Sequence, residues 1–264
     1  GSHVFSVSAF SGQNEPKQAS HSFFLKSDVV PELYGYQIFK TLPHDPESFT
    51  QGLEWSDGLL YEGTGLHGKS AIMQVDPETG KSLIRKNLDQ EFFGEGITIL
   101  GDKLYQITWQ NKRGFVYQLP QIEKIKEFGY ASDGWGLTNL NNQLIMSDGT
   151  NRLFFINPDQ FNQNKVLEVW DNKRPVDAIN ELEEIDGFIF GNKYQTDTLV
   201  KIDPKSGKIL AYIDLTGLLP DADRNGEEDV LNGIAWKADE KLIYVTGKNW
   251  PKMYGIRLVK KRIS

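Results

Sequence analysis

Five segments of the sequence are variations on one pattern: QGLEWSDGLLYEGTG from Gln51, EGITILGDKLYQITW from Glu95, WGLTNLNNQLIMSDG from Trp135, NELEEIDGFIFGNKY from Asn180 and NGIAWKADEKLIYVTGK from Asn232. Each opens on a polar or aromatic residue followed by a small one (Glu181 in the fourth copy), then gives an apolar strand, a short polar turn and a second apolar strand. Successive starts are separated by 44, 40, 45 and 52 residues. A third apolar segment follows, ending in Asp-Pro or Asn-Pro in IMQVDPETGK, LFFINPDQ and LVKIDPKSGK; the second copy has VYQLPQ instead. Asp or Asn before Pro starts turns, and the glycines of ETGK and KSGK suit a hairpin bend. A fourth strand such as SLIRKNLD, VLEVWD or KILAYIDL completes the unit. Four short strands in about 40 to 45 residues is the spacing of a β-propeller blade.

The predicted fold is therefore all-β, a five-bladed β-propeller running from about Tyr34 to Leu258. The fifth unit runs out of chain after KMYGIRLVK, and GYQIFKTL, residues 35–42, has no unit of its own. Adding it as the missing strand closes the ring from the N-terminal side and removes an open edge. One domain is expected over 34–264, preceded by a lead or strap over 1–33 that is rich in Ser, Gln and Asn and begins with Gly-Ser-His, the remnant of a tag. An α/β alternative needs helices between strands, and only LPQIEKIKEF, residues 119–128, offers one.

Composition removes several classes of function. A formal charge of −7, without a Lys/Arg stripe among aromatics, argues against nucleic acid. No apolar run reaches the length that spans a bilayer, so membrane insertion is not expected. The chain has no Cys, which excludes disulfides, thiolate nucleophiles and Cys-based zinc sites. Of the histidines, His3 belongs to the tag remnant, and His21, His44 and His67 show no metal-binding spacing, His44 being a structural residue of a Pro-containing turn. DADRNGEEDVLN, residues 221–232, begins like a calcium loop at Asp221, Asp223, Asn225 and Gly226. It carries Asn232 where such a loop needs a bidentate Glu, and is read as a solvated acidic loop. No metal and no cofactor are expected.

In a propeller the innermost strand of every blade lines the central channel, so the repeat gathers Gln51, Glu95, Trp135, Asn180 and Asn232 at one level. Fourteen residues on lie Gly65, Trp109, Gly149 and Tyr194, and Lys248 follows at sixteen because the last turn is longer. One channel end then holds a carboxylate, an ammonium, amides and aromatic faces. Residue by residue the bland alternatives stand: a Glu between glycines is commonly a solvated turn residue, a Trp commonly core, and Lys248 a surface lysine.

HDPESFTQGL, residues 44–53, together with FFGEGIT, YQITWQN, DGWGLT, INELE, VLNGIAW and VTGKNW, resembles the plant and bacterial type of glutaminyl cyclase, the glutaminyl-peptide cyclotransferases of papaya latex and their relatives. The likeness covers about residues 35–258, and that family is a five-bladed propeller. It implies Glu95 of GEGIT as the catalytic acid/base, with Phe49 and Gln51 of FTQGL, Trp109, Trp135, Asn180 and Lys248 around the substrate. Tyr194 stands where the plant pattern has Trp. The implied reaction closes an N-terminal glutamine of a peptide or protein to pyroglutamate with loss of ammonia, Lys248 or the amides of Gln51 and Asn180 holding the γ-carbonyl oxygen. A monomer in the periplasm or secreted is expected, because free N-terminal Gln arises after export and cleavage. The alternatives are a propeller that binds peptide or protein without turnover, and a propeller lactonase or sugar dehydrogenase.

Overall fold

The computed structural model describes residues 1–12 and 15–261; parts of the expected lead (13–14) and of the expected C-terminal domain (262–264) lie outside the described residues. The described chain is all-β, its only helical element being a single 3-10 turn at Asp221–Asp223. A hairpin of β1 (Ser2–Ala9) and β2 (Lys17–Phe24) pairs only with itself and is exposed along both strands. It was not foreseen as strand, although HVFSVSAF alternates as a strand does. Then come β3 (Glu32–Pro43), β4 (Thr50–Ser56), β5 (Leu59–Thr64), β6 (Ala71–Asp76), β7 (Lys81–Asn87), β8 (Gly94–Leu100), β9 (Lys103–Thr108), β10 (Arg113–Gln118) and β11 (Glu123–Gly129). The chain continues with β12 (Leu137–Leu140), β13 (Gln143–Ser147), β14 (Arg152–Ile156), β15 (Gln163–Glu168), β16 (Ile179–Ile185), β17 (Phe188–Lys193), β18 (Thr198–Ile202), β19 (Ile209–Asp214), β20 (Leu231–Lys237), β21 (Leu242–Gly247) and β22 (Lys252–Lys260). Residues 119–128, the one helical candidate, form a turn and β11 instead.

Strands β4–β7, β8–β11 and β12–β15 are three antiparallel four-stranded sheets. The remainder is an eight-stranded sheet, β16-β17-β18-β19-β3-β22-β21-β20, in which two antiparallel meanders meet at a short parallel pairing of β19 with β3. Strand β3 also pairs antiparallel with β22, from Tyr34↔Lys260 to Pro43↔Lys252. The tight turns carry the residues their geometry requires: Asp57-Gly58 and Asp186-Gly187 have φ of 51° and 77°, and 51° and 84°. Two successive positive φ values match the right-handed twist of a hairpin, and Asp-Gly adopts them at least cost.

The inner strands of each sheet are buried on both faces, so each sheet packs on two neighbours. The core is accordingly five clusters. Ile72 and Tyr61 meet Ile97 and Phe115; Tyr105 and Val116 meet Leu144 and Phe154; Ile145 and Leu153 meet Ile189 and Val200. Leu199 and Ile213 meet Ile234 and Ile243, and Ala235 and Tyr244 return to Leu53 and Met73. The first strands touch in the same cyclic order, β4, β8, β12, β16, β20 and back to β4.

Candidate active site

The site lies where the first strands begin. In β4, β8, β16 and β20 the pairing register slips at that point, between Thr50 and Gly52, Gly94 and Ile97, Ile179 and Leu182, and Leu231 and Ile234. Such a bulge re-aims a side chain that regular pleating would send elsewhere. The residues it carries are Gln51, Glu95, Asn180 and Asn232, four of the five first-ring positions; the fifth, Trp135, precedes β12, whose register is regular. Glycines permit the approach of neighbouring strands: a Cβ on Gly96 would lie 2.4 Å from the Leu137 nitrogen, and one on Gly94 2.7 Å from the Thr64 carbonyl oxygen.

A cavity of about 230 Å³ is lined by Phe49, Gln51, Phe93, Glu95, Trp109, Trp135, Asn180, Tyr194 and Lys248. All eight residues singled out from the sequence meet there. Phe93 is the lining residue the sequence reading missed. Its signal was the Phe-Phe pair before GEG: Phe92 turns into the core against Phe115, and Phe93 packs edge-on to Phe49 and Trp109, with centroids 6.2 and 5.7 Å away. The second ring is partly aromatic and partly the space aromatics need. A Cβ on Gly65 would meet the Phe93 ring at 2.5 Å, and one on Gly149 the Trp135 ring at 2.6 Å. Trp135 in turn stands edge-on to Tyr194, 5.4 Å between centroids.

Glu95 is 5% exposed and Lys248 4%, so both ionisable groups are largely stripped of water. Burial pushes the Glu95 carboxyl well above its usual range, opposed by the Lys248 ammonium. Burial also lowers the Lys248 pKa, opposed by Glu95 and Asp229. The Lys248 Nζ lies 4.6 Å from the Phe49 ring centroid and 5.4 Å from that of Tyr194, within cation–π range of both. The Gln51 Nε2 donates to Glu95 Oε1 at 3.1 Å, and Asn232 Nδ2 donates to the Gln51 Oε1 at 3.3 Å and to the Thr50 carbonyl at 3.0 Å. Asn232 belongs to the ring read from the repeat, but it stands behind Gln51 and outside the cavity lining. The Asn180 Oδ1 is buried without a hydrogen-bond partner among the described residues.

The acidic loop is organised differently. Asp223 is paired to Lys252 at 2.6 Å, and the Glu228 carboxylate accepts the Asn225 and Gly226 N–H groups. Among the described residues no three His, Asp or Glu side chains converge as a metal-ligand set.

The sequence profile of the glutamine cyclotransferase family matches residues 6–258. Glutaminyl-peptide cyclotransferase of Arabidopsis thaliana is 41% identical over 235 residues, which is 88% of this chain and 73% of that protein. The crystal structure of Myxococcus xanthus glutaminyl cyclase superposes with a TM-score of 0.83 at 31% identity, covering 88% of this chain and all of that one. With the family profile spanning nearly the whole chain and the pocket built on its repeat, the chain belongs to the glutamine cyclotransferase family.

Proposed function

We propose that this pocket cyclises the N-terminal glutamine of peptides and proteins to pyroglutamate by general acid–base catalysis without a metal. The observation that carries the reading is one buried carboxylate, Glu95, held by the Gln51 amide in an aromatic pocket that it shares with the buried ammonium of Lys248. The substrate supplies its own nucleophile. Its α-amine, with a pKa of about 7.7 to 8.0 in water, is partly neutral at physiological pH. It attacks the γ-carboxamide carbon; Glu95 takes a proton from the attacking nitrogen and returns one to the leaving nitrogen, which departs as ammonia. A carboxyl group lifted towards neutrality suits both transfers.

In this reading Lys248 and the Asn180 amide NH2 stabilise the γ-carbonyl oxygen as negative charge grows there. The walls of Phe49, Phe93, Trp109, Trp135 and Tyr194 fit the glutamine methylenes and favour the folded-back conformer in which amine and carboxamide meet. A Tyr at 194 keeps that wall and adds a hydroxyl. We infer further that the sheets are five blades of one propeller, closed by β3 beside β22; the cyclic order of cores and first strands supports this. Substrates of this kind favour the periplasm or secretion.

The test is ammonia release from a Gln-initiated dipeptide, with and without chelator. The expected result is chelator-resistant release in the native protein and a loss of about 10² to 10⁴-fold in folded Glu95→Gln. Native turnover by that variant overturns the mechanism, and loss of activity on chelation overturns its metal independence.

A further inference from the structure

Behind the pocket wall lies a second buried ionisable pair that the reaction does not use. His44, 6% exposed, presents both ring nitrogens to acceptors: Nδ1 is 2.6 Å from the Trp250 carbonyl oxygen and Nε2 is 3.1 Å from Glu62 Oε1. Glu62, 1% exposed, also accepts the Thr50 hydroxyl at 2.7 Å and the Ser48 hydroxyl at 3.4 Å. Three pieces of chain are thereby tied together. One is the loop from His44 to Phe49 between β3 and β4; another is β5, which supplies Glu62; the last is the loop after β21, which carries Lys248. Backbone contacts run along the same seam: Asn249 N donates to the Ser48 carbonyl at 2.8 Å, and His44 N to the Pro251 carbonyl at 3.0 Å.

We propose that His44 is a positioning residue of the active site: as an imidazolium clamped between the Trp250 carbonyl and Glu62, it fixes the Phe49 loop against the Lys248 loop. The carbonyl requires a proton on Nδ1. Glu62 accepts from Thr50 and Ser48 and faces Nε2 with the same carboxylate oxygens, a setting that calls for a second proton there. The acidic groups facing the ring are Glu62 from β5 and Asp45 from its own loop, while the loop after β21 offers only a carbonyl. Burial opposes the charge, and these partners outweigh it, so the His44 pKa stands above its ordinary value. The consequence for catalysis is the distance from Lys248 to Glu95. A pair that keeps the two loops in register keeps the ammonium where it acts on the carboxylate. This role rests on the reading of Glu95 and Lys248 given above.

The experiment combines Glu62→Gln, which keeps shape and removes charge, with His44→Gln and Lys248→Met. Below their melting temperatures, the first two variants are expected to lose roughly ten- to hundredfold in kcat/KM, the scale on which misplaced groups act, and to move the acid limb of the pH profile upward. Glu62→Gln combined with Lys248→Met is expected to lose less than the sum of the single effects. A lowered Tm with native kcat/KM and a native pH limb reduces the pair to a merely structural one and overturns the proposal, as does full additivity. If Glu62→Gln does not fold, 15N-histidine NMR of the native protein decides. The His44 imidazole, identified by its loss in His44→Gln, is expected to stay doubly protonated near pH 7; a neutral His44 overturns the proposal. A fully active Lys248→Met instead overturns the assignment of Lys248, a result the NMR arm separates from the state of His44.

Discussion

Glu95 is subject to two opposed forces in one pocket. Burial favours its neutral form, whereas Lys248 favours the carboxylate, and the Gln51 amide hydrogen steadies the oxygen it touches. Replacing Lys248 with Met removes the charge that opposes burial at Glu95. The pKa of Glu95 then rises further, so the acid limb of kcat/KM moves to higher pH, and kcat falls by about 10² or more if the ammonium also stabilises the oxyanion. A pH–rate profile checks both effects. Gly65→Ala tests the aromatic wall: the new Cβ collides with the Phe93 ring at 2.5 Å, so Phe93 must shift and reshape the cavity it lines. The expected result is a raised KM with a smaller change in kcat, measured on the same dipeptide. These residues were legible because repeat register placed them together and the motifs then distinguished them. Phe93 was not, because it precedes the repeated segment, and two adjacent aromatics do not reveal which one faces the core.

The first strands show what a linear pattern leaves out. Alternation identified them, and the short polar turns gave their partners, but a bulge is a mismatch between two strands and leaves no period in either. Nor does the small residue after each ring position mark it: the third copy has Gly136 without a register shift, and the fourth has the shift with Glu181 in that place. The structure gives the reason for that exception: Glu181, fully buried, accepts the backbone N–H of Leu53 at 3.2 Å and of Ile234 at 3.0 Å. It reaches from β16 to β4 and β20, so one side chain satisfies two backbone donors on other strands. Glu181→Ala leaves those donors buried without a partner and opens a cavity, with an expected loss of about 2 to 4 kcal/mol in chemical denaturation. Glu181→Gln keeps the volume and one of the two acceptors, its NH2 facing the other backbone N–H, and is expected to cost less than Ala; a loss equal to that of Ala would show that the second acceptor, not volume, is what matters there.

At the scale of the whole molecule, the order of strands and the cyclic packing were legible because each unit repeats the same buried alternation. The way the first strands treat charge was not. Glu54, Glu181 and Glu183 lie along the first strands, and burial lifts all three, Glu54 to about 8 although it keeps some accessible surface. Thr98 donates to Glu54 at 3.1 Å and Trp236 N to Glu183 at 2.7 Å, but neither bond restores an ordinary pKa. A carboxyl whose folded pKa exceeds its unfolded value of 4.5 favours folding most at low pH. As pH rises above that value the unfolded chain releases the proton while the folded one keeps it, so stability falls until the folded pKa is passed. His44, also raised, loses its contribution in the same direction as pH climbs through its folded pKa. Asp214 and Glu240 act oppositely. Their lysine partners lower both to about 2, and that contribution disappears as pH falls from the ordinary carboxylate range towards their folded values. The Tm should therefore peak on the acid side of neutrality and decline towards about pH 8. Glu54→Gln removes one group from the declining limb and should flatten it, leaving the acid side unchanged. Scanning calorimetry of both proteins across that range is the check, and parallel curves would show that Glu54 is ionised in the folded protein.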